Sequence, residues 1–283
     1  RQWENVKILS QDRSIHILVV DETYAKRDCS EVDAEQIFVL TTGNCKNVYR
    51  EEKCVYKYQC VDQILSEILE TYFERTKENV MKSVKKEFVK IIAIYSPIHR
   101  VGKTSFAIAF GKELAKFKKV LYLNMEEYFG YGEMFEQIDN GNLGDALYYT
   151  KQENSNFGLR LRMLVRTIDE LDYIPPMPVS LDLKEVLWEE WKVLFKQIVE
   201  DSVYEVILLD IGESVQGLLK MLDLCDRIYM PVLEDDVSQE KMRQYEENLQ
   251  KLQLERLMEK TYMFIGLQDI ENKMRQLVKE EVL

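Results

Sequence analysis

Residues 91–104 read IIAIYSPIHRVGKT, and SFAIAFGKELAKF follows without a break. An apolar run gives way to Gly102-Lys103-Thr104 and then to a helix-forming segment. That is the order of a phosphate-binding P-loop. A buried strand delivers the chain to a loop whose N–H groups can surround a phosphate. The helix that starts there turns the positive end of its dipole towards the anion. Gly102 admits close backbone approach, Lys103 reaches phosphate oxygens, and the Thr104 hydroxyl can ligand Mg²⁺. Arg100, Val101 and Ser105 complete the stretch expected to hold the phosphates. The usual pattern, G-x-x-x-x-G-K-[ST], is broken at its start, because Pro97 stands where the first glycine belongs.

Working outward, a second apolar run, Val206-Ile207-Leu208-Leu209, ends in Asp210 and is followed by Gly212. A carboxylate at a strand end beside a P-loop suits Mg²⁺, held through water. A third strand, Val120–Leu123, runs into Asn124-Met125-Glu126-Glu127, and a fourth, Arg227–Met230, runs into Pro231-Val232. Polar groups thus follow the strand ends, where ligands bind in an open α/β sheet. The pattern predicts strands at 89–95, 119–124, 171–174, 204–210, 226–232 and 260–265. It predicts helices at 103–117, 183–200, 214–223, 238–257 and 269–281. Residues 130–170 read as an insertion of two helices with Gly-Asn punctuation at 141–144. This alternation implies an α/β fold: a doubly wound, mostly parallel sheet covered on both faces.

These segments resemble the MinD/ParA-like ATPases with a deviant Walker A motif, and more narrowly the TadZ/CpaE pilus-assembly branch. The resemblance spans about residues 88–265 and rests on SPIHRVGKTSFA, KKVLYLNMEEYFG, LDYIPP, YEVILLDIGESVQG and LCDRIYMPVLEDDVSQ, in that order. It implies that Lys103 binds phosphate, that Thr104 and Asp210 serve Mg²⁺, and that Pro231 with the segment after it lines the base pocket. Asn124 and Glu126 fall where the family has two switch I aspartates, the second of which positions the attacking water. Lys103, Glu126 and Asp210 are therefore the candidate catalytic residues. ATP or ADP with Mg²⁺ is the implied cofactor set, and a homodimer working with pilus or secretion proteins the implied assembly.

The departures bear on hydrolysis. The family's deviant lysine, which reaches across a dimer to the partner's phosphates, falls at Ile98. His99 and Arg100 replace the next two glycines, and Arg100 is the better substitute cation because its charge does not depend on pH. Asn124 lacks the aspartate's charge, and Glu126 carries its carboxylate one methylene further out. Nucleotide binding is therefore better supported than turnover, and weak or absent hydrolysis is expected.

Residues 1–75 read as a small α/β unit. Strands at Ile15–Val20, Ile37–Leu40 and Cys54–Tyr58 precede a helix, Val61–Phe73, whose Ile64, Leu65, Ile68, Leu69 and Tyr72 share a face. Asp21, Thr41 and Lys57 echo the last three strands of a response-regulator receiver. The unit resembles the atypical receiver that precedes the ATPase in the TadZ/CpaE branch, with its first strand lying upstream of Arg1. Tyr58 replaces the usual proline after the lysine, which points to docking instead of phosphorylation at Asp21. A charged helical connector at 76–88 leads to the P-loop domain, 89–283.

At 283 residues, a prior of roughly 150 residues per domain gives about two domains. Net charge is 38 − 50 = −12, which repels phosphate backbones at long range and weighs against DNA binding. There is no run of about 18 apolar residues to span a membrane. The 269–281 helix places Ile270, Met274, Leu277 and Val278 on one side. Its polar face mixes Glu and Lys and it has no Trp or Phe anchor, so packing on the sheet is expected over membrane binding. Five cysteines without paired CxxC spacing read as reduced thiols of a cytoplasmic protein, with no zinc site. His16 lies within an apolar strand and reads as a core or edge residue. The expectation is a nucleotide-dependent dimeric positioning or recruitment factor. The alternatives are a nucleotide-free pseudo-ATPase scaffold, a ParA-type DNA partitioning ATPase and a metabolic P-loop enzyme.

Overall fold

The computed structural model describes Val6, Ser10, residues 15–25, Val32, 34–43, 53–59, most of 61–72, 88–130, 141–152, 157–265 and 270–282. The chain divides into two compact units, Arg1–Lys85 and Lys86–Leu283.

In the smaller unit, β1 (Ile15–Asp21), β2 (Ala34–Thr41) and β3 (Lys53–Tyr56) form a parallel sheet in the order β1-β2-β3, with a short helix α1 (Glu22–Ala25) after β1. Alternate residues of β2 face opposite sides. Val39 packs with Val20 and Val32, while Phe38 packs with Val55 and Ile68. Ile68 belongs to the expected 61–73 helix, whose described residues are helical. Apart from Phe88, the expected connector at 76–88 lies outside the described residues. His16 is exposed beside Glu35.

The larger unit carries a seven-stranded sheet in the order β10-β9-β4-β8-β5-β7-β6. Its strands are β4 (Lys90–Ile94), β5 (Val120–Met125), β6 (Arg166–Ile168), β7 (Leu171–Ile174), β8 (Val206–Ile211), β9 (Arg227–Val232) and β10 (Thr261–Ile265). All pairings are parallel except β6 against β7. β5 and β8 are buried along their whole length, which is why they read as continuous apolar runs. One core contains Ile91, Ala93, Leu121, Leu123, Ile207 and Leu209; the other contains Ile92, Ile94, Val120, Tyr122, Val206 and Leu208. The two sets alternate along the strands and mark the two sheet faces.

The helices are α2 (Lys103–Ala115), α3 (Leu143–Thr150), α4 (Phe157–Leu164), α5 (Ser180–Glu185), α6 (Trp188–Asp201), α7 (Leu218–Leu224), α8 (Asp236–Lys251), α9 (Arg256–Glu259) and α10 (Ile270–Val282). α2 packs closely on the sheet at Gly111, where a Cβ would stand 2.9 Å from a Leu171 methyl. α10 joins α2 on that face, with Met274, Leu277 and Val278 buried alongside Phe106 and Phe110. Glu281 fastens α10 to the strands: its buried carboxylate meets Lys90 Nζ at 2.6 Å and accepts from the Tyr229 hydroxyl at 2.7 Å. The expected packing of this helix on the sheet is what the fold contains.

Several elements differ from the sequence expectation, and the helix expected at 214–223 begins only at Leu218. The single helix expected at 183–200 is two, because Val186 and Leu187 adopt extended backbone. The long helix expected at 238–257 ends at Lys251, where Gln253 turns to φ 57°. β6 was not expected; it forms a tight hairpin with β7 through Asp169 and Glu170, both at positive φ. Pro231 sits inside β9 without cost. β4 pairs with β9 only as far as Tyr229, so the absent N–H of Pro231 leaves that ladder intact.

Candidate functional site

The first strand of the larger unit, β4, lies between β9 and β8. The chain runs outward to β5 on one side and later crosses back to β9 on the other. The crevice at the strand ends of such a reversal is where open α/β sheets bind ligands. The loop 95–102 leaves β4 at that point.

Gly102 takes φ 77° and caps α2 with no side-chain hydrogen bond to the first turn. The first backbone N–H groups of α2 thus lack the usual Ser, Asp or Asn acceptor, an arrangement suited to an incoming anion. Arg100 is exposed at φ 60°, a backbone that non-glycine residues adopt sparingly. Ile98 and Val101 point the other way, into the core. Val101 can therefore contribute only backbone to a ligand, and Ile98 is unlike a lysine in position as well as in charge. His99 reaches Glu213, in the loop after β8, at 3.3 Å.

Lys103 is buried and already engaged. Its ammonium lies 2.7 Å from Glu126 Oε1, donates to the Ile211 carbonyl at 3.1 Å, and stands 5.7 Å from the centre of the Tyr95 ring. Gly212 makes room for Glu126: a Cβ there would stand 3.0 Å from Glu126 Oε2 and from the Met125 carbonyl.

Asp210 ends up between β4 and β5, with Ile94 and Asn124 as its register partners. It is fully buried. Its Oδ2 accepts from the Tyr122 hydroxyl at 3.0 Å and from Asn124 Nδ2 at 3.4 Å. Burial pushes its carboxyl up to about 6, and the charge of Glu126 adds to that; Thr104, Lys103 and Tyr122 pull it back. Thr104 acts on this carboxyl, yet Oδ1 is left without a well-formed hydrogen bond. A buried carboxylate oxygen short of a well-formed hydrogen bond, next to a hydroxyl, is a donor pair that could hold a hard divalent cation. Among the described residues no group of three or more His, Cys, Asp or Glu could hold a metal.

The fold thus brings together Gly102, Lys103, Thr104, Glu126 and Asp210. Ser105 is exposed on the first turn of α2, and Pro231 is buried in β9. Tyr122 and Tyr95 were not foreseen. The signal for Tyr122 was present, since it stands two residues before Asn124 on one strand and so shares its face. On α3, Tyr148 is exposed, while Leu147 is buried.

In the smaller unit, Asp21 and Lys57 meet at 3.1 Å. Asp21 Oδ1 accepts from both the backbone N–H and the hydroxyl of Thr23. These bonds, with Lys57, hold the Asp21 carboxyl down at about 2. The Thr41 hydroxyl donates to the Gly43 carbonyl at 2.8 Å. Cys54 is disulfide-bonded, which corrects the expectation of reduced thiols there; spacing alone does not reveal which thiols a fold brings together. Cys225 is a buried free thiol. No described helix is long and apolar enough to cross a membrane.

Among solved structures the chain is similar to a ParA family ATPase from Chlorobium tepidum, with a TM-score of 0.51 and 16% identity over 62% of this chain and 73% of that one. The chain has the fold of a ParA-family ATPase over that span. A plasmid partition protein from Borrelia burgdorferi bound to AMPPNP matches with a TM-score of 0.46 and 21% identity, over 63% of this chain and 75% of that one. A chain of the MinC:MinD cell division protein complex from Aquifex aeolicus matches with a TM-score of 0.44 and 17% identity, over 62% of this chain and 68% of that one. No protein-family model and no curated protein matches the chain.

Proposed function

We propose that the larger unit binds ATP or ADP with Mg²⁺ at the P-loop and uses the bound nucleotide to hold a homodimer. One observation carries this reading: Lys103 and Thr104 open an uncapped helix beside a buried Asp210 whose Oδ1 makes no well-formed hydrogen bond. In this reading the backbone of 100–105 surrounds the phosphates, Lys103 neutralises them, and Pro231 with the segment after it borders the base. Thr104 and Asp210 hold the Mg²⁺, which when bound offsets phosphate charge. Glu126, once released from Lys103, can orient a water for hydrolysis. With Ile98 buried and Asn124 uncharged, the chain has no counterpart of the family's deviant lysine and lacks one switch I carboxylate, so turnover is weak or absent. Arg100, exposed at the loop tip, is the cation best placed to substitute.

The TadZ/CpaE resemblance extends the proposal. The dimer marks a site or recruits partners for a pilus or secretion machine in the cytoplasm, with the smaller unit as a degenerate receiver that docks. A ParA-type partitioning role fits the same fold; the net charge of −12 favours the protein-recruiting role over DNA binding. The test is calorimetry of ATP and ADP binding with and without Mg²⁺, beside light scattering. Lys103→Ala removes a charge-assisted contact of about 1.5–3 kcal/mol and should weaken binding roughly ten- to a hundredfold. Equal affinity in parent and variant would overturn the assignment.

A further inference from the structure

Tyr122 and Asn124 raise a separate question, because β5 is otherwise an apolar strand through the middle of the sheet. Both are buried, as is Asp210. A phenol and an amide in such a place carry a desolvation cost that a leucine would avoid, so their hydrogen bonds matter. Those bonds converge. Tyr122 donates to Asp210 Oδ2 at 3.0 Å; Asn124 Nδ2 donates to the Tyr122 hydroxyl at 2.9 Å and lies 3.4 Å from the same Oδ2. On its other side, Asn124 Oδ1 accepts from the Glu126 backbone N–H at 3.0 Å.

We propose that Tyr122 and Asn124 are positioning residues that clamp Asp210 Oδ2, so that Oδ1 is presented to a divalent cation held with Thr104. The proposal rests on the nucleotide-binding reading and deepens it. A carboxyl group free to rotate offers either oxygen and must be ordered when the cation arrives. Here that ordering is done by the fold, and the cation meets a fixed donor. The amide at position 124 is what the arrangement needs. It gives a hydrogen to the Asp210 side and takes one from Glu126, whereas an ionised aspartate could only accept. The departure from the family residue is therefore a change of role. A charged group has become a neutral coupler between Asp210 and the backbone of Glu126.

The test uses the full chain, with Mn²⁺ as a paramagnetic probe and AMPPNP as a non-hydrolysable nucleotide. Free Mn²⁺ is counted by electron paramagnetic resonance at saturating AMPPNP, and AMPPNP affinity is measured separately in EDTA. Tyr122→Phe removes one oxygen and should weaken Mn²⁺ binding roughly tenfold, as loss of an outer-shell partner does. Its AMPPNP affinity in EDTA should stay within about twofold, the margin that separates this from an ordinary tenfold effect. Asn124→Ala should act in the same direction, and it carries the test if Tyr122→Phe does not fold. Unchanged Mn²⁺ affinity in a folded variant, or an equal loss with and without the metal, would overturn the clamp while leaving nucleotide binding intact. If the parent binds no AMPPNP under either condition, the nucleotide reading falls and the clamp with it.

Discussion

Lys103 and Glu126 form an ion pair of 2.7 Å, with side chains only 9% and 22% exposed. The ammonium expected to meet phosphate is thus already matched by a carboxylate, in a place where solvent screens it little. On the proposed reading, an incoming nucleotide competes with Glu126 for Lys103. Glu126→Gln should therefore tighten ATP and ADP binding in EDTA by about tenfold, equivalent to about 1.4 kcal/mol of competition removed. Calorimetry decides it; equal or weaker binding would mean that the pair does not compete.

Acidity should act on the site through Asp210. Its carboxyl stands at about 6 in the fold against 3.8 ordinarily. Between those values the native protein keeps a proton that the unfolded chain has released. The stability this contributes is full below 3.8 and is lost as pH rises through about 6. Cation binding runs the opposite way, because it needs the ionised carboxylate. The gain in nucleotide affinity from Mg²⁺ should climb as pH rises through about 6 and then level off. A titration from acid to neutral pH checks this, and Asp210→Asn should show no climb.

Placing at position 98 the lysine that MinD/ParA-like proteins carry should not give efficient turnover. Ile98 is buried, in the same core as Tyr95, Val101 and Met125. A lysine there would bury an ammonium without a partner, at a cost of several kcal/mol. Ile98→Lys should lower the melting temperature by roughly 5 °C or more, at about 2–4 °C per kcal/mol for a unit of this size. A variant as stable as the parent, with phosphate release raised, would show that the loop can turn this side chain outward.

Asp21 should resist phosphorylation. Thr23 occupies one carboxylate oxygen and Lys57 the other. Incubation with acetyl phosphate should leave the intact mass unchanged. An added phosphoryl group of about 80 daltons, absent from Asp21→Asn, would refute this.

Much of the larger unit could be read from its residues. Val206–Leu209 and Val120–Leu123 are apolar without interruption because both their faces are covered, and strand length and punctuation told them from helices. Gly102-Lys103-Thr104 located the loop. Three things were hidden. β6 has three residues, too few for alternation to register. The burial of Ile98 depends on how the loop folds back on the core, which spacing cannot express. The pairing of Lys103 with Glu126 joins residues 23 positions apart, carried by elements that follow β4 and β5, between which β8 lies.

The seat of Glu281 links regions that the chain keeps far apart. α10 packs against α2 and shares a core with its Phe106 and Phe110, which lie one and two turns beyond the Lys103 end of that helix. Local opening of α10 would strip cover from the same aromatic residues that hold α2 in place. Amide hydrogens of α10 and of the middle of α2 should therefore exchange as a single cooperative unit, and slower exchange in α2 on ligand binding should be matched by slower exchange in α10.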